Sequence, residues 1–453
     1  MTNNNADTKA SLLVFGLCAV LLVLAPFYAS GKTPCARLIL ESVGLLLLMV
    51  VFWSGISRGK SYGIVSVYLV ISVGLACLYL VPIPFDYWSQ LPGRELYLSV
   101  YQWLIEQGVD AERYQLSIVP YKTTLALLAL LPTLGIFYSA LSLSDERIKQ
   151  LAFLLLAVAA IQAILGLIQY ASGNPWFHFG IEANGRSAQG TYLNPDHFAA
   201  LLEMTLPIAI GMMLYSIGRS QYDRRHDGKG AVVNQVLIFA SIALVILLAG
   251  IFTRSRAGVA LIMLAMLISS VIFSRHVGGK QSVGLTAIFA TIAVGVSMSI
   301  GLIPILNRFV ATNPVEDERF RIFEHTLEGF RAFFPFGSGP GTFPDVYRAF
   351  QPIEQLRFIN NAHNDYLELL FEMGAFGAAI IVGFLLLYLF ACFMLRGRGW
   401  NRMHFIQVAA AIGIFLMLLH SLADFNLHTP ANAIVFAFLV GILFRKEEVK
   451  RRR

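Results

Sequence analysis

Charge is scarce in this 453-residue chain: 13% of its residues are Asp, Glu, Lys or Arg, where a soluble domain carries roughly 25%. That shortage, with 57% hydrophobic residues, excludes an ordinary water-soluble enzyme. Cysteine is also sparse. Cys18, Cys35, Cys77 and Cys392 are scattered without a C-x-x-C pair, which indicates neither a disulfide framework nor a thiolate metal site. The patterns G-x-x-x-x-G-K-[ST] and H-x-x-x-H are absent, so no nucleotide loop and no short-spaced histidine pair for a metal is indicated. No nucleic-acid recognition motif accompanies the net charge of +7. No internal repeat stands out.

What is there is apolar sequence in long runs. Spanning a hydrocarbon layer takes about 20 residues of helix, and runs of that order recur at 12–30, 37–56, 62–82, 121–140, 149–171, 194–216, 232–252, 256–274, 282–304, 366–395, 404–421 and 430–446. Long side chains and frequent Gly favour helices over barrel strands, whose segments are shorter and alternate. The expected fold is an all-α polytopic membrane protein of about 12 transmembrane helices. It comprises a helical domain over 1–446, a long loop at 303–362 between spans 9 and 10, and a basic tail at 447–453. MTNNNADTKA followed by so long a run does not resemble a cleavable signal peptide.

Charge bias orients the spans. With the N-terminus cytoplasmic, every short inside segment carries Lys or Arg, among them DERIKQ, GRSQYDRRHDGKG, RGRGWNR and the tail RKEEVKRRR. Together these segments hold well over half of the chain's 34 basic residues. This is the positive-inside pattern, and it predicts cytoplasmic termini. The same excess suits attraction to anionic lipid.

On that threading, three polar clusters share the outer face. The first is NGRSAQGTYLNPDHFAALL, residues 184–202. Asn194 reads as a cap, Pro195 as a first helical residue and Asp196 as a partner of the helix dipole. Arg186 is the only basic residue of the 172–193 loop, and a glycine-flanked arginine there suits an anion. The second cluster is TRSRAGVAL, where Arg254 and Arg256 interrupt apolar sequence. Either can snorkel to lipid head groups, or Arg256 can point into the bundle, where its planar fork matches phosphate oxygens. The third is NNAHNDYLELLFEMGAFG, residues 360–377. Asn361, Asn364 and Asp365 read as caps or first-turn residues. Glu368 and Glu372, four apart, share a helix face and belong in the bundle interior or at the interface. His363 can serve as cap, helix–helix donor, proton carrier or, least supported by spacing, metal ligand. Between the last two clusters, RFRIFEHTLEGFRAF reads as an amphipathic surface helix with Arg319, Arg321 and Arg331. FGSGPGTF reads as either a substrate-binding concavity or a bend.

These pieces, in this order and on this topology, resemble the O-antigen ligase/O-antigen polymerase superfamily of bacterial membrane glycosyltransferases. The resemblance covers about residues 150–395. It implies transfer of a glycan from an undecaprenyl-diphosphate-linked donor at the periplasmic face of the inner membrane. The acceptor would be lipid A–core for a ligase, and the next repeat unit for a polymerase. The family's catalytic positions fall on Arg186, Arg256 and His363, with Arg254, Asn194, Asn364 and Asp365 as substrate-binding neighbours. No metal or other cofactor is expected. NPDHF departs from the NPN or NH of many members, so Asp196 and His197 carry over poorly. Arginines would stabilise the leaving diphosphate, and a base near neutral pKa would deprotonate the acceptor hydroxyl. An exopolysaccharide polymerase fits the same residues. A transporter is a different class, usually marked by midplane helix breaks and paired repeats. A scaffold would leave the arginines without an anionic partner.

Overall fold

The computed structural model describes residues 2–54, 63–108, 114–173, 187–222, 229–277 and 314–446. Most of these are helical. α1 (Thr2–Phe27), α2 (Pro34–Trp53) and α3 (Gly63–Leu78) are followed by two short helices, α4 (Phe85–Trp88) and α5 (Glu95–Glu106). Then come α6 (Pro120–Leu128), α7 (Leu130–Ser142), α8 (Asp145–Ser172), α9 (Pro195–Tyr222), α10 (Lys229–Phe252) and α11 (Arg256–Val277). After the segment not described come α12 (Pro314–Phe333), α13 (Phe343–Val346), α14 (Asp365–Met394), α15 (Arg402–His420) and α16 (Pro430–Leu443). Among the described residues, nine stretches are long and apolar enough to cross a membrane, and α3 and α16 are shorter apolar helices. The chain is an all-α polytopic membrane protein. The expected span at 282–304 lies outside the described residues.

Local chemistry sets the ends. Thr33 accepts from Ala36 N–H at 3.2 Å while Pro34 occupies the first turn of α2. Ser144 caps α8, with Asp145 and Glu146 in its first turn, and Gly173 closes the helix at φ +59°. Two boundaries differ from expectation. The span expected at 62–82 stops at Leu78, because residues from Tyr79 turn into an extramembrane layer. The one expected at 121–140 runs over 120–142 and is divided at Ala129 into α6 and α7.

α9 is the axis of the bundle. Of its most apolar stretch 94% is buried, against 17% for α14 at the periphery. α8, α10, α11, α15 and α16 all pack on it.

A second core lies beyond the spans, built from 82–120 and the segment leading into α14. Trp88, Tyr114, Phe333, Phe343 and Tyr347 are buried there. An antiparallel pair, β1 (Pro82–Ile83) and β2 (Tyr114–Gln115), closes the first segment. Arg94 is buried between the rings of Trp88 and Phe333, each 5.7 Å from its guanidinium carbon, and donates to the Leu116 carbonyl. The layer docks on α14 by backbone. Ser338 and Gly339 N–H donate to the Phe371 and Glu372 carbonyls at 3.2 and 2.8 Å, and Ala375 N–H donates to Pro335 O at 2.8 Å. These bonds fall where α14 breaks at Gly374, φ +54°. A Cβ there would lie 2.1 Å from Pro335 O, so only glycine fits without strain. FGSGPGTF is therefore a bend committed to this junction. The amphipathic helix, α12, packs its buried Ile322, Thr326 and Phe333 against this layer and α14. It is more than a surface helix.

Candidate active site

The first turn of α9 sits at one end of the bundle. The Asn194 side-chain oxygen accepts from Asp196 N–H at 2.8 Å, which starts the helix and commits that amide to a cap. Asp196 pairs with Arg319 of α12 at 3.4 Å, and Arg319 also donates to the Ala423 carbonyl at 3.2 Å. His197, the next residue, is buried under the turn that joins α15 to α16.

α14 begins beside it. The Asn364 side-chain oxygen accepts from Tyr366 and Leu367 N–H, both at 3.0 Å, and its amide donates to Leu422 O at 2.9 Å. This cap forces the preceding residue, His363, into the left-handed region at φ +53°, which is uncommon for a non-glycine residue. His363 Nδ1 then lies 3.0 Å from Asp424 Oδ1, and its ring meets Phe425 edge-on with centroids 4.9 Å apart. The Asp424 side chain is 1% exposed and that of His363 28%. An ionised carboxylate only accepts, so Nδ1 carries the proton and Nε2 keeps a lone pair. Burial opposes ionisation of Asp424, but the hydrogen bond from His363 outweighs it, with the nearby Arg319 guanidinium adding to the effect. They hold the carboxyl well below the usual range.

Asp424 has a second histidine. Its Oδ2 lies 3.7 Å from His197 Nε2, while His197 Nδ1 faces Thr429 Oγ1 at 3.1 Å and Lys32 Nζ at 3.3 Å. Lys32 also stands 5.0 Å over the Phe425 ring. Burial lowers its pKa to about 8, Asp424 opposes this and Arg37 adds to it. One helical turn into the bundle, Glu203 and His420, both fully buried, are hydrogen-bonded to each other.

Arg254 and Arg256 flank the α10–α11 turn. Arg254 is exposed at φ +58°, and Arg256 opens α11 half-buried. Gly258, two residues on, lies so close to α9 that a Cβ would meet that of Ala199 at 2.4 Å. Ala188 N–H donates to Phe252 O at 2.8 Å at the same place. The arginine turn and the His363–Asp424 pair thus abut the same opening turns of α9. Arg186 lies outside the described residues.

The structure gives Asp365 a local role: it accepts from Leu427 N–H at 3.2 Å and pairs with His428 at 2.8 Å. Glu368 and Glu372 are buried, as their shared face implied. Asp424, His197 and Lys32 were not singled out from sequence as site residues. Their one signal was polarity in turns too short to need it: HSLADFNLHTP between two apolar helices, and GKTP between two others. Among the described residues no group of three His, Cys, Asp or Glu side chains is disposed to hold a metal ion.

The family model for the O-antigen ligase domain matches residues 240–382. That stretch takes in the second half of α10, the Arg254–Arg256 turn, α11, α12, the glycine-rich junction, His363 and the first half of α14. No curated protein matches the chain. A bundle of apolar helices, two arginines at one turn and an Asp-bound histidine at the mouth of α14 accompany that match, and over residues 240–382 this polytopic membrane protein is similar to the O-antigen ligase family.

Proposed function

We propose that this protein transfers a glycan from an undecaprenyl-diphosphate carrier to a hydroxyl of lipid A–core, at the extracytoplasmic face. The observation that supports this best is the pairing of His363 with Asp424. The buried carboxylate holds the Nδ1 proton and orients Nε2 as a general base. Such a base contributes roughly 10²–10⁴-fold when it reaches within about 3 Å of the proton it takes.

In the proposed step Nε2 removes the acceptor hydroxyl proton as the oxygen attacks the anomeric carbon. The bond from that carbon to the phosphate oxygen breaks, the configuration inverts and the diphosphate leaves with the electron pair. Charge grows on the diphosphate, and guanidinium groups fixed in a water-poor site stabilise it. Arg256 and Arg254 at the α9 mouth, with Arg186, are the residues for that role. Asn194 and Asn364 keep both arms of the site in place through their caps. The donor bond carries the energy, so ATP is not required, and in this proposal the guanidinium groups take the leaving-group charge in place of a metal.

Reconstitution in liposomes with defined lipid-linked repeats tests this. Full glycan on lipid A–core supports ligation. Repeats joined to one another assign a polymerase with the same chemistry. Unimpaired transfer by His363→Ala removes the base, strict dependence on Mg²⁺ or Mn²⁺ overturns the metal-free step, and solute movement with the donor intact would make the protein a transporter.

A further inference from the structure

We propose that His428 is a positioning residue: as an imidazolium seated between Asp365 and Glu368, it pins the turn that carries Asp424 to the loop that carries His363. The inference deepens the transfer reading above and rests on it for its activity readout alone.

Both ring nitrogens of His428 face carboxylates. Nδ1 lies 2.8 Å from Asp365 Oδ1, and Nε2 lies 3.2 Å from Glu368 Oε1. A neutral imidazole has one N–H, and ionised carboxylates only accept. The two contacts are satisfied together when the ring carries both protons. The carboxylates are 7% and 2% exposed, whereas the histidine side chain is 39% exposed and can exchange protons with solvent.

The same two acids hold the polypeptide on either side of His363. Glu368 accepts from Ala362 N–H at 2.7 Å and from the Asn361 amide at 2.9 Å. Asp365 accepts from Leu427 N–H at 3.2 Å, and its own N–H donates to Ser421 O at 3.0 Å. His363 keeps its left-handed backbone only while its flanks are held. Removing the cation removes the two ion pairs that tie the 421–429 turn to the opening of α14 and leaves both buried acids of that opening unbalanced, which loosens the contact that makes the His363–Asp424 pair.

The groups facing His428 are Asp365, Glu368 and, further along the same helix face, Glu372, which also accepts from Phe343 N–H at 3.0 Å. On the other side of the turn, Asp424 is committed to His363 and His197, with Arg319 and Lys32 beyond it. Burial opposes charging of His428, but Glu368 and Asp365 outweigh it, so the ring keeps its second proton well above the ordinary histidine range. The sign follows for the histidine: the pin is complete at neutral pH, with both acids ionised, and is released as pH rises through that raised value.

The test uses the full chain in liposomes as wild type, His428→Gln and His428→Arg. Transfer kinetics are followed across pH, alongside hydrogen exchange of residues 360–366 and 421–429. The glutamine variant is expected to lower kcat about tenfold or more with donor KM within about twofold, since the base is displaced while donor contacts remain. Exchange in both segments should speed up together. Arginine, charged at every pH and able to fork two carboxylates, should recover most of kcat and abolish the alkaline fall. Arginine no better than glutamine overturns the inference, as does exchange that ignores both substitution and pH. If glutamine prevents folding, wild-type exchange against pH decides alone. If wild type transfers no glycan, the proposed function fails while the exchange readout still judges the pin.

Discussion

Arg445 and Asp424 bury charge at opposite ends of the same bundle. Arg445, 4% exposed, donates to the Ala140 carbonyl and to Asp145 at 2.8 Å, while Gln407 donates to the Ile442 and Arg445 carbonyls at 3.2 and 3.0 Å. Arg147 nearby donates to Ser11 O at 2.7 Å. Charge there ends on backbone oxygens and on the Asp145 carboxylate, and it ties helix ends together. At the other end, Asp424 Oδ2, His197 Nε2, Glu203 Oε2 and His420 Nε2 are buried without a hydrogen-bond partner, against Arg445 Nε at the first. His363 and Arg254 both adopt left-handed backbone there. Unsatisfied polar atoms and strain cost stability, and they persist where function requires them. The first end ties helix ends together, and the other carries the site of the proposed transfer.

Substitution at each end can break that contrast. The largest effect is expected for His363→Ala, a loss of transfer of about 10²–10⁴-fold with thermal inactivation close to wild type. A comparable loss of stability would group His363 with Arg445. Arg445→Met should instead cost about 3–5 kcal/mol, because Asp145 is left without its partner. Specific activity of the protein that survives heating should be unchanged, and reduced specific activity in detergent assays would tie this end to catalysis.

Gly374→Ala should cost about 1–3 kcal/mol through its backbone strain. Limited proteolysis should then cut the 336–343 junction before the spans. Cleavage elsewhere would show that the junction does not hold the extramembrane layer.

Lys32→Met is the smallest. The pKa of Lys32 falls to about 8 on folding, so its ammonium is costly below that value. Wild-type stability should rise between about pH 8 and the ordinary lysine range, where only the unfolded chain still binds the proton. The methionine variant should lack that rise and gain on the order of 1 kcal/mol at neutral pH. A destabilised variant would show that Lys32 serves Asp424 more than burial harms it.

Much of the fold was legible because hydrocarbon imposes a length on its helices, and the spans around α8, α9, α11 and α15 follow hydropathy within a few residues. His363 was legible from polarity at a membrane mouth. Asp424 was not, because its partner lies 61 residues away and no local pattern encodes a pairing across α14 and α15. Gly374 gave no sign either. GAFGAA reads as ordinary small-residue helix, and the break becomes visible only with Pro335 packed against it. Asn364 and Asp365 were readable as caps, but their bonds to Leu422 and Leu427 belong to tertiary structure.

The splice between the glycine-rich segment and the broken α14 is made of main chain on both sides. Its geometry survives replacement of almost every neighbouring side chain, provided the glycines stay. Under the proposed transfer, surface above the junction is free to diversify while the residues proposed to form the bond keep their coordinates. Related proteins could trade specificities by exchanging the outer layer at this seam.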